Sequence, residues 1–125
     1  MKRRRPEEAI QRAVVDLLTK CGVPGLVWFH VPNGGWRSMV EAGIFKAMGV
    51  KPGVSDLILL HRGTFYALEI KTDKGKLTPL QQRFLDDVKA AGGYATWAAG
   101  IDEAYRVLQS WGLVRFTWME PERAA

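Results

Sequence analysis

Apolar residues recur along this chain at two spacings, and the alternation between them predicts the elements. From Pro6, the residues Ile10, Ala13, Val14, Leu17, Leu18 and Cys21 follow at three- and four-residue steps until Gly22. That period predicts an amphipathic helix with one buried stripe, bordered by Glu7 and Gln11, with Glu8 pointing more to the side. A Val23-Pro24-Gly25 turn leads into residues 26–31, an apolar run that reads as a buried strand, and residues 38–48 read as a short helix closed by Gly49. Two runs rich in β-branched, aliphatic and aromatic residues, 54–60 and 64–71, flank a Gly-containing turn and predict an antiparallel hairpin. Thr78 as N-cap and Pro79 at the first helical position open a helix whose buried face is Leu80, Phe84, Leu85, Val88 and Ala91. On it Gln81 points inward and Gln82 away. Residues 94–99 form a further strand, and Asp102 is expected to cap a helix with Ala104, Val107, Leu108 and Trp111 inward. The order helix, strand, short helix, hairpin, helix, strand, helix predicts an α/β fold with a mixed central sheet flanked by helices.

The hairpin also carries the chemistry. With Arg62-Gly63 as a two-residue loop closed by His61 opposite Thr64, counting back along both strands sets Asp56 opposite Glu69. Directly opposed residues share a face with Cβ atoms about 4.5–5.5 Å apart, and like charges so placed destabilise a sheet unless something positive compensates. Lys71, two positions beyond Glu69, supplies one charge on that face, and a divalent cation would supply the rest. The Ile70 backbone carbonyl adds a further oxygen. Carboxylate, carboxylate, carbonyl and water suit Mg²⁺ or Mn²⁺ and argue against zinc. The bland reading is a solvated cluster of two acids and a lysine near a hairpin end.

Composition narrows the field. A length of 125 residues suits one domain, divided here into a basic arm 1–6, a folded domain 7–112 and a tail 113–125. Residues 114–119 could add an edge strand, and residues 120–125 read as frayed. Hydrophobic residues make up 47 % and charged residues 25 %, which are globular values, and no apolar run has the length of a membrane span. A soluble, cytoplasmic protein is expected. The single cysteine, Cys21, excludes an internal disulfide and a multi-cysteine zinc site. With only His30 and His61 present, a histidine metal site is improbable, and each reads as a core or turn histidine. The net charge of +5 favours a polyanionic partner. Candidate phosphate contacts are Asn33 and Arg37 in the Pro32-Asn33-Gly34-Gly35-Trp36-Arg37 loop, and Lys74 and Lys76 in the polar turn after Lys71. Loop composition alone also explains each of them.

Taken together, Glu7-x-x-Ile10-Gln11, Pro32-Asn33-Gly34-Gly35-x-Arg37, Gly49-Val50-x-x-Gly53-Val54-Ser55-Asp56, Glu69-Ile70-Lys71 and Leu77-Thr78-Pro79-x-Gln81 resemble a stand-alone VRR-NUC domain of the PD-(D/E)XK nuclease superfamily. The resemblance spans residues 7–111, with Ser55 standing where the family usually has proline. It implies the superfamily's restriction-endonuclease-like αβββαβ core and a metal-dependent nuclease. Asp56, Glu69 and the Ile70 carbonyl would hold Mg²⁺ or Mn²⁺, Lys71 would act on water or phosphate, and Glu7 and Gln81 would support the site. The implied partner is DNA, extending to branched DNA such as four-way (Holliday) junctions cut by a homodimer, with no small-molecule cofactor. Competing readings are a non-catalytic nucleic-acid-binding module and a structural subunit docking through Trp111, Trp118 and the tail.

Overall fold

In the computed structural model, which describes residues 6–32 and 39–115, the elements run α1 (Pro6–Cys21), β1 (Val27–His30), α2 (Met39–Ala47), β2 (Leu57–His61), β3 (Thr64–Lys71), α3 (Pro79–Ala90), β4 (Tyr94–Ala99) and α4 (Ile101–Ser110). The strands form one mixed sheet in the order β1-β2-β3-β4, antiparallel at the first two pairings and parallel between β3 and β4. None of the helices among the described residues is long and apolar enough to cross a membrane.

Alternation along β2 and β3 splits the core into two layers. Leu57, Leu59, Leu68 and Ile70 pack with Val14, Leu17 and Leu18 of α1 and with Ala104 and Leu108 of α4. Ile58 and Ala67 point the other way and pack with Ala95, Leu85 and Val88 under α3. A strand pair buried on both faces reads as a continuous apolar run, which is why 57–60 lacks polar alternation.

The turn fixes the register. Arg62 and Gly63 both have positive φ, 50° and 81°, so two residues reverse the chain in the sense that matches strand twist. His61 then pairs with Thr64 and Leu57 with Leu68. Arginine in the left-handed region is strained, whereas asparagine adopts it readily. Arg62→Asn is therefore expected to raise stability by roughly 0.5–1 kcal/mol, read as a higher denaturant midpoint at unchanged slope. A lowered midpoint would mean that the arginine side chain stabilises the turn by more than its backbone strain costs.

Several expectations are corrected. β1 is an edge strand, not a buried one: it pairs with β2 alone, and Val27 and Phe29 are exposed. Leu80 is exposed too, and so is Ala91, so α3 buries chiefly Leu85 and Val88. Asp102 does not cap α4. The cap position is Gly100, two residues earlier, with Ile101 the first helical residue, and the Ala99 N–H donates to Glu103 Oε1 at 2.8 Å. The core also reaches past residue 112: Leu113 and Val114 are buried, and Val114 forms an isolated bridge with Gly22. The arm 1–5, the loop 33–38 with Asn33 and Arg37, and residues 116–125 with Trp118 lie outside the described residues.

Candidate active site at the open end of the hairpin

Continuing the register one step beyond Leu57↔Leu68 places Asp56 across from Glu69, on the sheet face that α3 covers. Asp56 sits just before β2, where its side chain replaces the next ladder bond: the Ile70 N–H donates to Asp56 Oδ2 at 2.8 Å. The backbone carbonyl of Asp56 is held as well, accepting from the Val31 N–H at 2.8 Å and lying 2.9 Å from His30 Nδ1. Since a carbonyl can only accept, that contact puts the imidazole proton on Nδ1.

Glu69 is only 3 % exposed and Lys71 7 %. Lys71 Nζ lies 3.7 Å from Glu69 Oε2, close enough for charge attraction but longer than a hydrogen bond. Gln81 Nε2 donates to the same oxygen at 3.1 Å. The amide of Gln81 is itself oriented by a capping box: its Oε1 accepts the Thr78 N–H at 2.9 Å, and Thr78 Oγ1 accepts the Gln81 N–H at 3.2 Å. Helix α3 thus presents an NH₂ group to the buried acid from a fixed position. The second oxygen, Glu69 Oε1, is enclosed and unpartnered.

Burial, first, and the negative charge of Asp56, second, push the Glu69 carboxyl up to about 8, with the Lys71 ammonium partly opposing them. With both acids ionised, two carboxylates against one lysine would leave an excess of negative charge beside the buried Glu69, and burial with Asp56 opposes that state. Asp56, Glu69 and the Ile70 carbonyl offer hard oxygen atoms, and the orphaned Glu69 oxygen leaves a lone pair for a cation. The donor set therefore fits Mg²⁺ or Mn²⁺. Among the described residues no group of three or more His, Cys, Asp and Glu side chains that could hold a metal ion is gathered.

The structure brings together Asp56, Glu69, Ile70, Lys71 and Gln81. It does not join Glu7 to them: Glu7 is exposed at the start of α1, whose buried stripe packs on the opposite sheet face, and its neighbour Glu8 pairs with Arg12 at 3.1 Å. Gln11 lies in a cleft beside His30, with both amide atoms buried and unpartnered. Lys74 and Lys76 are exposed in the loop directly after Lys71.

The roles of two residues near Asp56, both noted in the sequence, became visible only in the fold. His30 supports the Asp56 backbone, and only the β1–β2 pairing, 26 residues apart in sequence, could have shown it. Gly53 has φ +81°, and a Cβ there would meet the Leu80 carbonyl oxygen at 2.5 Å and the Gln81 nitrogen at 3.0 Å. The signal for it was the glycine before Val54-Ser55-Asp56, marking a close backbone approach.

The sequence model described as "VRR-NUC domain" matches residues 5–101. A solved structure titled "VRR_NUC domain protein" is similar with a TM-score of 0.69 at 26 % sequence identity, covering 87 % of this chain and 89 % of that one. No curated protein matches the chain. The mixed sheet and its flanking helices accord with that structure, and the family match extends over most of the chain, including every residue gathered at the hairpin end. The chain belongs to the VRR-NUC domain family, a nuclease-type family.

Proposed function

We propose that this protein is a metal-dependent DNA endonuclease whose centre is Asp56, Glu69, the Ile70 carbonyl and Lys71. The observation that carries this reading is the burial of Glu69 against Asp56 with one carboxylate oxygen left unpartnered. A fold gains nothing from a buried acid set against a half-buried one, while a centre that must hold a cation against a phosphate does.

Asp56, Glu69 and the Ile70 carbonyl would hold Mg²⁺ or Mn²⁺. Such an ion supplies positive charge opposite the phosphate and acidifies water. The protein's own groups do the rest. The Asp56 carboxylate is locked to the Ile70 N–H, so the two potential ligand segments keep a fixed separation. Gln81 ties down one oxygen of Glu69 and leaves the other free. The ammonium of Lys71, close to Glu69, is placed to orient water or to offset charge developing on a phosphodiester. Lys74 and Lys76 extend positive charge along the adjoining loop, where a nucleic-acid backbone would run.

Branched DNA, such as a four-way junction, and a homodimer extend this reading. Cutting two strands symmetrically needs two such centres, and each chain holds one. A species that elutes as a monomer yet cuts junctions symmetrically would defeat the dimer.

The experiment is cleavage of supercoiled plasmid and a synthetic four-way junction with Mg²⁺, Mn²⁺ or chelator. Native protein is expected to cut only with metal, and Asp56→Asn and Lys71→Ala each to lose roughly 10²-fold or more in rate. DNA binding without cutting under every metal condition would reassign the acids to a non-catalytic binding module.

A further inference from the structure

Strands β3 and β4 pair in parallel, with Glu69 opposite Trp97 and Lys71 opposite Ala99. Partners in this ladder share a face, as their neighbours demonstrate. Ala67 and Ala95 both join the core under α3, and Ile70 and Ala98 both join the core under α1 and α4. Trp97 therefore stands on the acid-bearing face, one strand from Glu69, at the usual strand spacing of about 4.8 Å. Its environment is nonetheless opposite to that of its neighbour: Glu69 is 3 % exposed and Trp97 39 %. Neither core cluster includes Trp97. The strand pair thus holds a broad aromatic ring partly in water, beside the buried Glu69 and outside both core clusters.

We infer that Trp97 is a stacking platform for an unpaired nucleobase, set beside Glu69 so that the phosphate at the acid pair is one flanked by an unstacked nucleotide. The chemistry follows from what each form of nucleic acid can offer. In a continuous duplex the faces of every base are covered by its neighbours, so an indole finds nothing to stack on. A single strand, a flap or the branch point of a junction exposes a base face, and an aromatic side chain accepts any of the bases because all have one. Lysine contacts to the backbone do not discriminate in this way; they strengthen binding to paired and unpaired strands alike. Trp97 thus supplies the preference for structure over sequence, while Lys71, Lys74 and Lys76 supply attraction.

This inference rests on the nuclease reading only for where the phosphate lies, and the two fail separately. The test measures binding by fluorescence anisotropy in Mg²⁺, with full-length Asp56→Asn protein to prevent cutting. The probes are a labelled single strand, a fully paired duplex, and the same duplex carrying one unpaired nucleotide. Trp97→Leu in that background is expected to bind the single strand and the interrupted duplex roughly 5- to 100-fold more weakly, with paired duplex changed less than about 2-fold. Trp97→Phe keeps a ring and is expected to recover most of the loss. Equal loss on all three probes, no loss on any, or no binding of unpaired nucleic acid by the parent would overturn the proposal. Equal thermal midpoints for the three proteins keep a folding defect from imitating the result. A second readout uses intact Asp56: native cuts should cluster beside the unpaired nucleotide, and Trp97→Leu should scatter them. Native protein that cuts nothing would sink the nuclease reading, and the binding comparison would still decide the stacking role.

Discussion

Replacing Glu69 with glutamine should make the metal-free protein more stable at pH 8 while removing its cleavage activity. The carboxyl of Glu69 is raised from 4.5 to about 8 by burial first and by Asp56 second, against the weaker pull of Lys71. Because the folded-state value lies above the unfolded one, the native fold holds its proton where the unfolded chain has lost it. The associated stability is fully present below about pH 4.5 and is lost as pH rises toward and through about 8. Glutamine imitates the protonated acid at every pH and its carbonyl can still accept from Gln81 Nε2. Chelator-treated native protein should therefore weaken between pH 5 and 8, while Glu69→Gln stays level and exceeds it at pH 8 by a few kcal/mol. Denaturant midpoints at the two pH values decide the matter. Parallel pH curves would mean that Lys71 keeps Glu69 ionised throughout. Cleavage should fall by roughly 10²-fold or more, since the neutral amide is a poor partner for a hard cation.

Gly53→Ala is the second large effect. Its φ of +81° alone costs an alanine roughly 1–2 kcal/mol. The added Cβ would also sit 2.5 Å from the Leu80 oxygen and 2.6 Å from the Leu80 carbonyl carbon, both backbone atoms at the start of α3 that no side-chain rotation can clear. Either the loop before Asp56 or the first turn of α3 must move, and Gln81 moves with it. We expect a total loss of roughly 2–4 kcal/mol, with reduced cleavage in what remains folded. Gly25→Ala is the control, because Gly25 has nearly the same φ, +82°, and nothing within 4 Å. It should show the backbone cost alone. Equal losses in the two variants would mean that α3 gives way freely and does not position Gln81 through Gly53.

The hairpin was readable from sequence because its determinants are local. Arg62-Gly63 sets the loop length, loop length sets the register, and the register brings Asp56 to Glu69 with Lys71 on the same face. Gln81 was legible for a similar reason, since Thr78-Pro79 fixes where α3 starts and so which side chains face inward. What sequence could not show depends on neighbours far along the chain. An apolar run announces β1 as a strand without saying that it lies at the sheet edge. The apolar stripe of α1 orients its axis, yet which end of the sheet Glu7 approaches depends on packing against the face away from the acids. Leu80 keeps the helical period with Phe84, but in the first turn of α3 it is the Leu80 backbone that lies against Gly53, and its side chain is exposed. Helix α4 began a residue before Asp102 because Glu103 reaches back to the Ala99 N–H, a competition between two acids that periodicity does not resolve.

The central claim is that Asp56 and Glu69 form a cation site, and the most direct test is a calorimetric titration of native protein with Mn²⁺ at pH 7, repeated in buffers of differing ionisation enthalpy. With Glu69 raised to about 8, most of that carboxyl is protonated at pH 7 before the ion arrives. The account predicts saturable binding that releases close to one proton, and loss of both the binding and the release in Glu69→Gln. No saturable binding by native protein, or the same binding and proton release in Glu69→Gln, would contradict it.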